Sequence, residues 1–134
     1  MKFLIVDDEK TSTKILEHVL KPFGEVTSVA TSEEGLSLFL KGIEAGKPFE
    51  AICLDINLPG MDGLQLLEEI RRVEEQRGVV GVAATKVFVT TASCDIDSYS
   101  DASAVGCTSY LCKPISRQKL IAELHRLGIV SDFQ

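Results

Sequence analysis

Short unbroken apolar runs alternate along this chain with longer stretches in which apolar residues recur at helical spacing. Unbroken runs bounded by turn residues read as strands buried on both faces, and the spaced pattern reads as amphipathic helix. Residues 2–6 form the first run. Ile15, Leu16, Val19, Leu20 and Phe23 then share a helical face, which Pro22 and Gly24 close. Residues 25–30, with Val26 and Val29, predict a second strand. Thr31-Ser32-Glu33-Glu34 has the form of a capping box. It opens a helix that carries Leu36, Phe39, Leu40 and Ile43 inward and ends near Gly46-Lys47-Pro48. Residues 49–54 predict the third strand. Residues 63 to about 77 predict the third helix, with Leu64, Leu67, Ile70 and Val73 inward. Its outer face carries Glu68, Glu69, Arg71, Arg72, Glu74 and Glu75, read as a solvated face with i,i+4 pairs such as Glu68–Arg72.

Residues 78–85 (Gly-Val-Val-Gly-Val-Ala-Ala-Thr) show no period and read as a connecting loop. Residues 86–91 predict the fourth strand. Residues 95–105 predict a fourth helix stopped by Gly106, and a poor one. Ser98, Ser100, Ser103, Asp97 and Asp101 have mediocre helix propensity, and Ile96, Tyr99 and Val105 supply only a thin apolar face. It is therefore expected to be the most mobile helix. Residues 108–112 predict the fifth strand, and Ser116 caps a last helix bearing Leu120, Ile121, Leu124 and Leu127. Five strands alternating with five helices predict an α/β fold with a parallel sheet and right-handed crossovers.

Composition changes this picture by exclusion. A length of 134 residues with 45% hydrophobic content supports one domain with its own core and, on this reading, no effector domain. No apolar run is long enough to span a bilayer, and the start turns acidic too soon for a signal peptide, so a cytoplasmic location and no membrane partner are expected. The net charge of −6, with no Lys/Arg cluster, argues against nucleic-acid binding. The four cysteines (Cys53, Cys94, Cys107, Cys112) lack zinc-like spacing and are expected to be reduced thiols. His18 and His125 read as ordinary helix residues.

The candidate chemistry sits where the predicted strands end. In an open α/β sheet, ligands bind beyond the carboxyl ends of the strands. The first strand delivers Asp7 and Asp8 there, the third Asp55, the fourth Thr90-Thr91, and the fifth Lys113-Pro114. Singly, each has a plain structural reading: a solvated acidic loop, a turn aspartate, a surface lysine. Together they bring three carboxylates, a hydroxyl and an ammonium to one edge. Crowded carboxylates repel and raise one another's pKa, and a hard divalent cation such as Mg²⁺ resolves the conflict while leaving room for phosphate. A carboxylate can attack phosphorus to give an acyl phosphate.

Four blocks in order carry a resemblance over residues 2 to about 127: Asp7-Asp8; Asp55 followed by Leu58-Pro59-Gly60-Met61-Asp62-Gly63; Thr91-Ala92; and Lys113-Pro114. With them the chain resembles a receiver domain of a two-component response regulator, of the kind seen in stand-alone chemotaxis regulators. The resemblance implies a flavodoxin-like, doubly wound sheet of order 2-1-3-4-5. It implies that Asp55 accepts phosphate from a phosphohistidine on a sensor histidine kinase or histidine phosphotransfer protein. Asp8, Asp55 and the Asn57 backbone carbonyl would ligate Mg²⁺, with Asp7 acting through bound water. Thr91 and Lys113 would bind phosphoryl oxygens, Thr91 and Tyr110 would act as the switch, and the Lys113–Pro114 bond would be cis. A downstream protein would read the face made by the fourth helix, fifth strand and last helix. Asp62-Gly63 and Pro59-Gly60 are read as turn chemistry that starts the third helix.

Other readings share parts of the pattern. A phosphate shuttle in a multistep relay uses the same site. A small phosphatase of the aspartyl-phosphate type needs a second Asp two residues after the nucleophile, where this chain has Asn57. A flavin-binding module needs a hydroxyl- and Gly-rich loop after the first strand, and Asp7-Asp8-Glu9 is electrostatically wrong for one.

Overall fold

A computed structural model of the chain describes residues 1–58 and 60–130. The elements in order are β1 (Lys2–Val6), α1 (Lys10–Leu20), β2 (Glu25–Val29), α2 (Ser32–Glu44), β3 (Ala51–Asp55), α3 (Gly63–Gln76), β4 (Lys86–Thr91), α4 (Ile96–Val105), β5 (Ser109–Cys112) and α5 (Arg117–Arg126). All pairings are parallel and the strand order is β2-β1-β3-β4-β5, as expected. Pro59, part of the expected turn after the third strand, and residues 131–134 lie outside the described residues.

Alternation along the strands sorts the core into two layers. Phe3, Ile5, Cys53, Phe88 and Leu111 face α1 and α5, where Leu16, Leu20, Leu120 and Leu124 meet them. Leu4, Val6, Ile52, Leu54, Val87 and Val89 face the other helices, through Phe39, Leu66, Leu67, Ile70 and Ala102. The expected caps form, with Thr31 accepting from Glu34 N and Ser116 from Lys119 N, and Asp95 adds one by accepting from Ser98 N.

Several expectations are corrected. The third strand runs 51–55 rather than 49–54, although residue 50 still bonds to both flanking strands, its N–H to Lys2 O and its carbonyl to Lys86 N. In α3 Leu67 and Ile70 are buried and Leu64 and Val73 pack half-buried against the core as expected, but Leu66 and Glu74 are buried too, Glu74 being 3% exposed rather than solvated. The reason is the 78–85 segment, which folds back over it. Thr85 N donates to Glu74 Oε2 at 2.7 Å, Arg71 pairs with Glu74 Oε1 at 2.6 Å, and Val79 N donates to the Glu74 carbonyl at 2.8 Å. Arg72 pairs with Glu69 one turn back instead of Glu68. In α4 the buried residue is Ala102, while Ile96 (78% exposed) and Tyr99 (52%) face outward.

The cysteine expectation is also corrected. Cys94 and Cys112 form a disulfide, and Cys53 and Cys107 are free. The β4–β5 register sets Thr91 opposite Cys112, and the chain after Thr91 turns back over β5. The two α-carbons come to 5.8 Å, inside the range a disulfide spans.

Candidate functional site

Because the strands are parallel, the residues that follow each of them emerge at one edge of the sheet. The order β2-β1-β3 places the reversal of winding between β1 and β3. Asp7 and Asp8 leave β1 there, Asp55 ends β3, Thr91 ends β4 and Lys113 follows β5. The structure brings the three aspartates together. Among the described residues, Asp7, Asp8 and Asp55 form a group of donors whose ligand oxygens all lie within 4.8 Å of one another.

Lys113 bridges two of them. Its Nζ lies 3.0 Å from Asp55 Oδ2 and 3.1 Å from Asp7 Oδ2, with Glu9 Oε1 further out at 3.6 Å. Burial works against the ammonium, but its bonds to Asp55 and Asp7 outweigh that, and the Lys113 pKa is raised. Asp7, 4% exposed, is pushed up by burial first of all, with the Asp55 charge adding to it. The Glu9 N–H and Lys113 pull the other way. Asp55 is equally buried, and its Oδ1 accepts the Asn57 N–H at 2.8 Å.

This donor set fits a hard cation. It is all oxygen, it has more negative charge than one lysine offsets, and two of its three carboxylates are buried. Asp8 is exposed, which leaves the cluster open to solvent and to an incoming phosphoryl group.

Asn57 links the acceptor to β4. Its side-chain amide donates to Thr91 Oγ1 at 2.8 Å and, more weakly, to Ser93 Oγ at 3.4 Å. Ser93 N also donates to Thr91 Oγ1, at 2.9 Å. The Thr91 oxygen thus accepts twice, and its own O–H is left to donate outward. Thr90, the neighbouring hydroxyl, is buried without a hydrogen-bond partner. Tyr110 on β5 donates its hydroxyl to the Ser93 carbonyl at 2.7 Å, and its ring meets Tyr99 of α4 edge-on at 5.4 Å. The Lys113–Pro114 bond is cis, as expected.

Gly63 holds this loop close in a way that turn chemistry alone did not foretell. A Cβ at Gly63 would sit 2.3 Å from the Asp55 carbonyl oxygen and 2.5 Å from Ile56 Cα, both backbone atoms. Beside it Asp62 and Gln65 complete a capping box that fixes the start of α3. Gly63→Ala is therefore expected to cost about 1–3 kcal/mol, as overpacking against an unyielding wall does. Urea unfolding measures this, and wild-type stability would show that the loop relaxes freely. Sequence reasoning also missed the Cys94–Cys112 pair. The only signal was position: Cys94 three residues after Thr91, and Cys112 directly before Lys113.

A family model for the response regulator receiver domain matches residues 3–125. The chemotaxis protein CheY of Pseudomonas aeruginosa is 30% identical over 127 residues, which cover 95% of each chain. Among solved structures, chemotaxis protein CheY4 of Vibrio cholerae is 27% identical with a TM-score of 0.76, over 94% of this chain and 97% of that one. The receiver domain of the histidine kinase CKI1 from Arabidopsis thaliana, solved with Mg²⁺ and BeF3⁻, is 26% identical with a TM-score of 0.79, over 96% and 90%.

Proposed function

The chain belongs to the response regulator receiver domain family of two-component signalling, and on that premise we propose that Asp55 takes a phosphoryl group from a phosphohistidine and that a partner protein reads the result. The observation that carries this is the Lys113 ammonium set between the buried Asp55 and Asp7 in a three-carboxylate cluster that Asp8 opens to solvent at the sheet edge. A carboxylate oxygen of Asp55 attacks phosphorus, the phosphorus–nitrogen bond of the donor breaks, and its electron pair stays on the imidazole. Asp8, Asp55 and the Asn57 carbonyl would hold Mg²⁺, with Asp7 acting through a bound water. Bound there, the ion supplies positive charge that offsets the charge of the transferring phosphoryl group. Lys113 follows a phosphoryl oxygen as a mobile point charge, and the free O–H of Thr91 donates to another.

Movement of Thr91 carries Ser93, and with it the Tyr110 hydroxyl and the start of α4. We assign the readout to the face of α4, β5 and α5, where Ile96 and Tyr99 stand exposed. The donor partner is a sensor histidine kinase or a histidine phosphotransfer protein, and the setting is cytoplasmic, where such phosphohistidines are made. The protein takes up one phosphoryl group per chain as a signal and is not a turnover enzyme.

The test is incubation with acetyl phosphate followed by intact mass. One phosphoryl group per chain is expected with Mg²⁺ and none once EDTA has removed it. Equal labelling with and without the ion would overturn the metal assignment, and no labelling in either would overturn the phosphoryl reading.

A further inference from the structure

We propose that Cys94 and Cys112 are a reversible thiol–disulfide site, and that its state sets how freely the loop after Thr91 can respond to a phosphoryl group on Asp55. The coupling rests on the phosphoryl reading above, and the redox site itself does not.

Three observations carry the site. The first is access. Cys94 and Cys112 are both exposed, so a small thiol reaches either sulfur without unfolding the domain. The other two cysteines differ: Cys53 is buried, with its thiol pushed up to about 12 by burial and then by the Asp7 charge, and Cys107 is half-buried and also raised by burial. The second is need. Disulfides that serve only as staples belong mostly to small secreted domains with too little core. This domain has a full apolar layer on each face of its sheet. The third is placement. The bridge ends on the residue before Lys113 and on the third residue after Thr91, so it spans the two strand ends nearest Asp55 that are not themselves acidic.

Placement also gives the coupling. Lys113 N donates to the Thr91 carbonyl at 2.7 Å, which zips the two strand ends together. Beyond that bond, the loop is held by Ser93, whose carbonyl accepts from Tyr110 and whose N–H donates to Thr91 Oγ1. With the bridge closed, moving Thr91 and Ser93 toward Asp55 drags on Cys112 and β5. With it open, those hydrogen bonds and the Asn57 amide on Thr91 and Ser93 resist without a covalent tie.

The chemistry is exchange with a low-molecular-weight disulfide such as oxidised glutathione. One cysteine thiolate attacks a glutathione sulfur, forms a mixed disulfide and releases a glutathione thiolate. The second cysteine thiolate attacks the protein sulfur of that mixed disulfide and releases the other glutathione thiolate. Two protons pass from the cysteines to the two released thiolates. The protein loses two electrons as its disulfide forms, and the glutathione disulfide gains them.

The full chain is equilibrated in reduced and oxidised glutathione mixtures, quenched with an alkylating agent and weighed intact. Two more alkyl groups are expected on the wild type in reducing than in oxidising buffer, reversibly, with no such difference in Cys94→Ser or Cys112→Ser. An alkylation count that ignores the buffer would overturn the site. Phosphoryl uptake from acetyl phosphate with Mg²⁺ is then timed in both states. The oxidised wild type is expected to be slower by about fivefold or more, and both serine variants should keep one rate in both buffers. Equal wild-type rates would overturn the coupling. Uptake in neither state, while alkylation still follows the buffer, would remove the phosphoryl reading and the coupling while supporting the redox site.

Discussion

Asp55→Asn is expected to take up no phosphoryl group under conditions that label the wild type fully. The amide is close in size to the carboxylate and can still accept the Asn57 N–H that now reaches Oδ1, so the loop keeps its shape. It loses the anionic oxygen that attacks phosphorus, and no neighbour replaces it. Asp7 is the other buried carboxylate, but it lies on β1's side of the cluster, tied to the Glu9 N–H and Lys113. Stability should change by less than about 1 kcal/mol, because relief of carboxylate repulsion offsets the partner that Lys113 loses. Intact mass reads the first quantity and thermal unfolding the second. A labelled Asn variant would move the acceptor elsewhere. An unlabelled but unfolded one would make the loss structural, so the two readings are needed together.

The parts of the fold and site that are legible in the sequence are those fixed by local pattern. The buried strand runs and the residues directly after them place Asp7, Asp8, Asp55, Thr91 and Lys113 at one edge, because parallel strands all point the same way. Contacts between distant segments are not legible in this way. Glu74 reads as solvated because a glutamate on a charged helix face is normally exposed, and its partner, the Thr85 N–H, lies in a segment with no period. Cys94 and Cys112 become neighbours only through the β4–β5 register and the backward turn after Thr91. In α3 Leu66 is buried while Leu64 packs only half-buried against the core, a contact set by the layer that α3 meets rather than by its own spacing. For α4 the weak propensity is visible in the sequence. The outward setting of Ile96 and Tyr99, which makes it a surface for a partner, depends on Ala102 being the side chain that packs.

Glu74→Ala is expected to destabilise the domain by about 2–4 kcal/mol, the largest stability effect foreseen for a single side chain away from the sheet-edge site. Glu74 is a buried carboxylate with two strong partners, Arg71 and the Thr85 N–H. Its removal leaves that N–H buried without an acceptor. Arg71 would keep its bonds to the carbonyls of Thr85 and Gly106 but lose the one carboxylate it pairs with among the described residues. These contacts tie α3 to the 78–85 segment and to the turn before β5, so the loss should loosen all three. Glu74→Gln separates the causes. It retains an acceptor for Thr85 while removing the charge, and should cost about 1–2 kcal/mol. At roughly 4 °C per kcal/mol for a domain of this size, the Ala variant should melt clearly below the Gln variant, and the Gln variant below wild type. Phosphoryl uptake at a temperature where each variant is folded should be unchanged, because neither Arg71 nor Glu74 touches the aspartate cluster. Equal melting of all three would mean that the buried pair contributes nothing net. Slowed uptake in a folded variant would mean that the 78–85 segment reaches the site through β4.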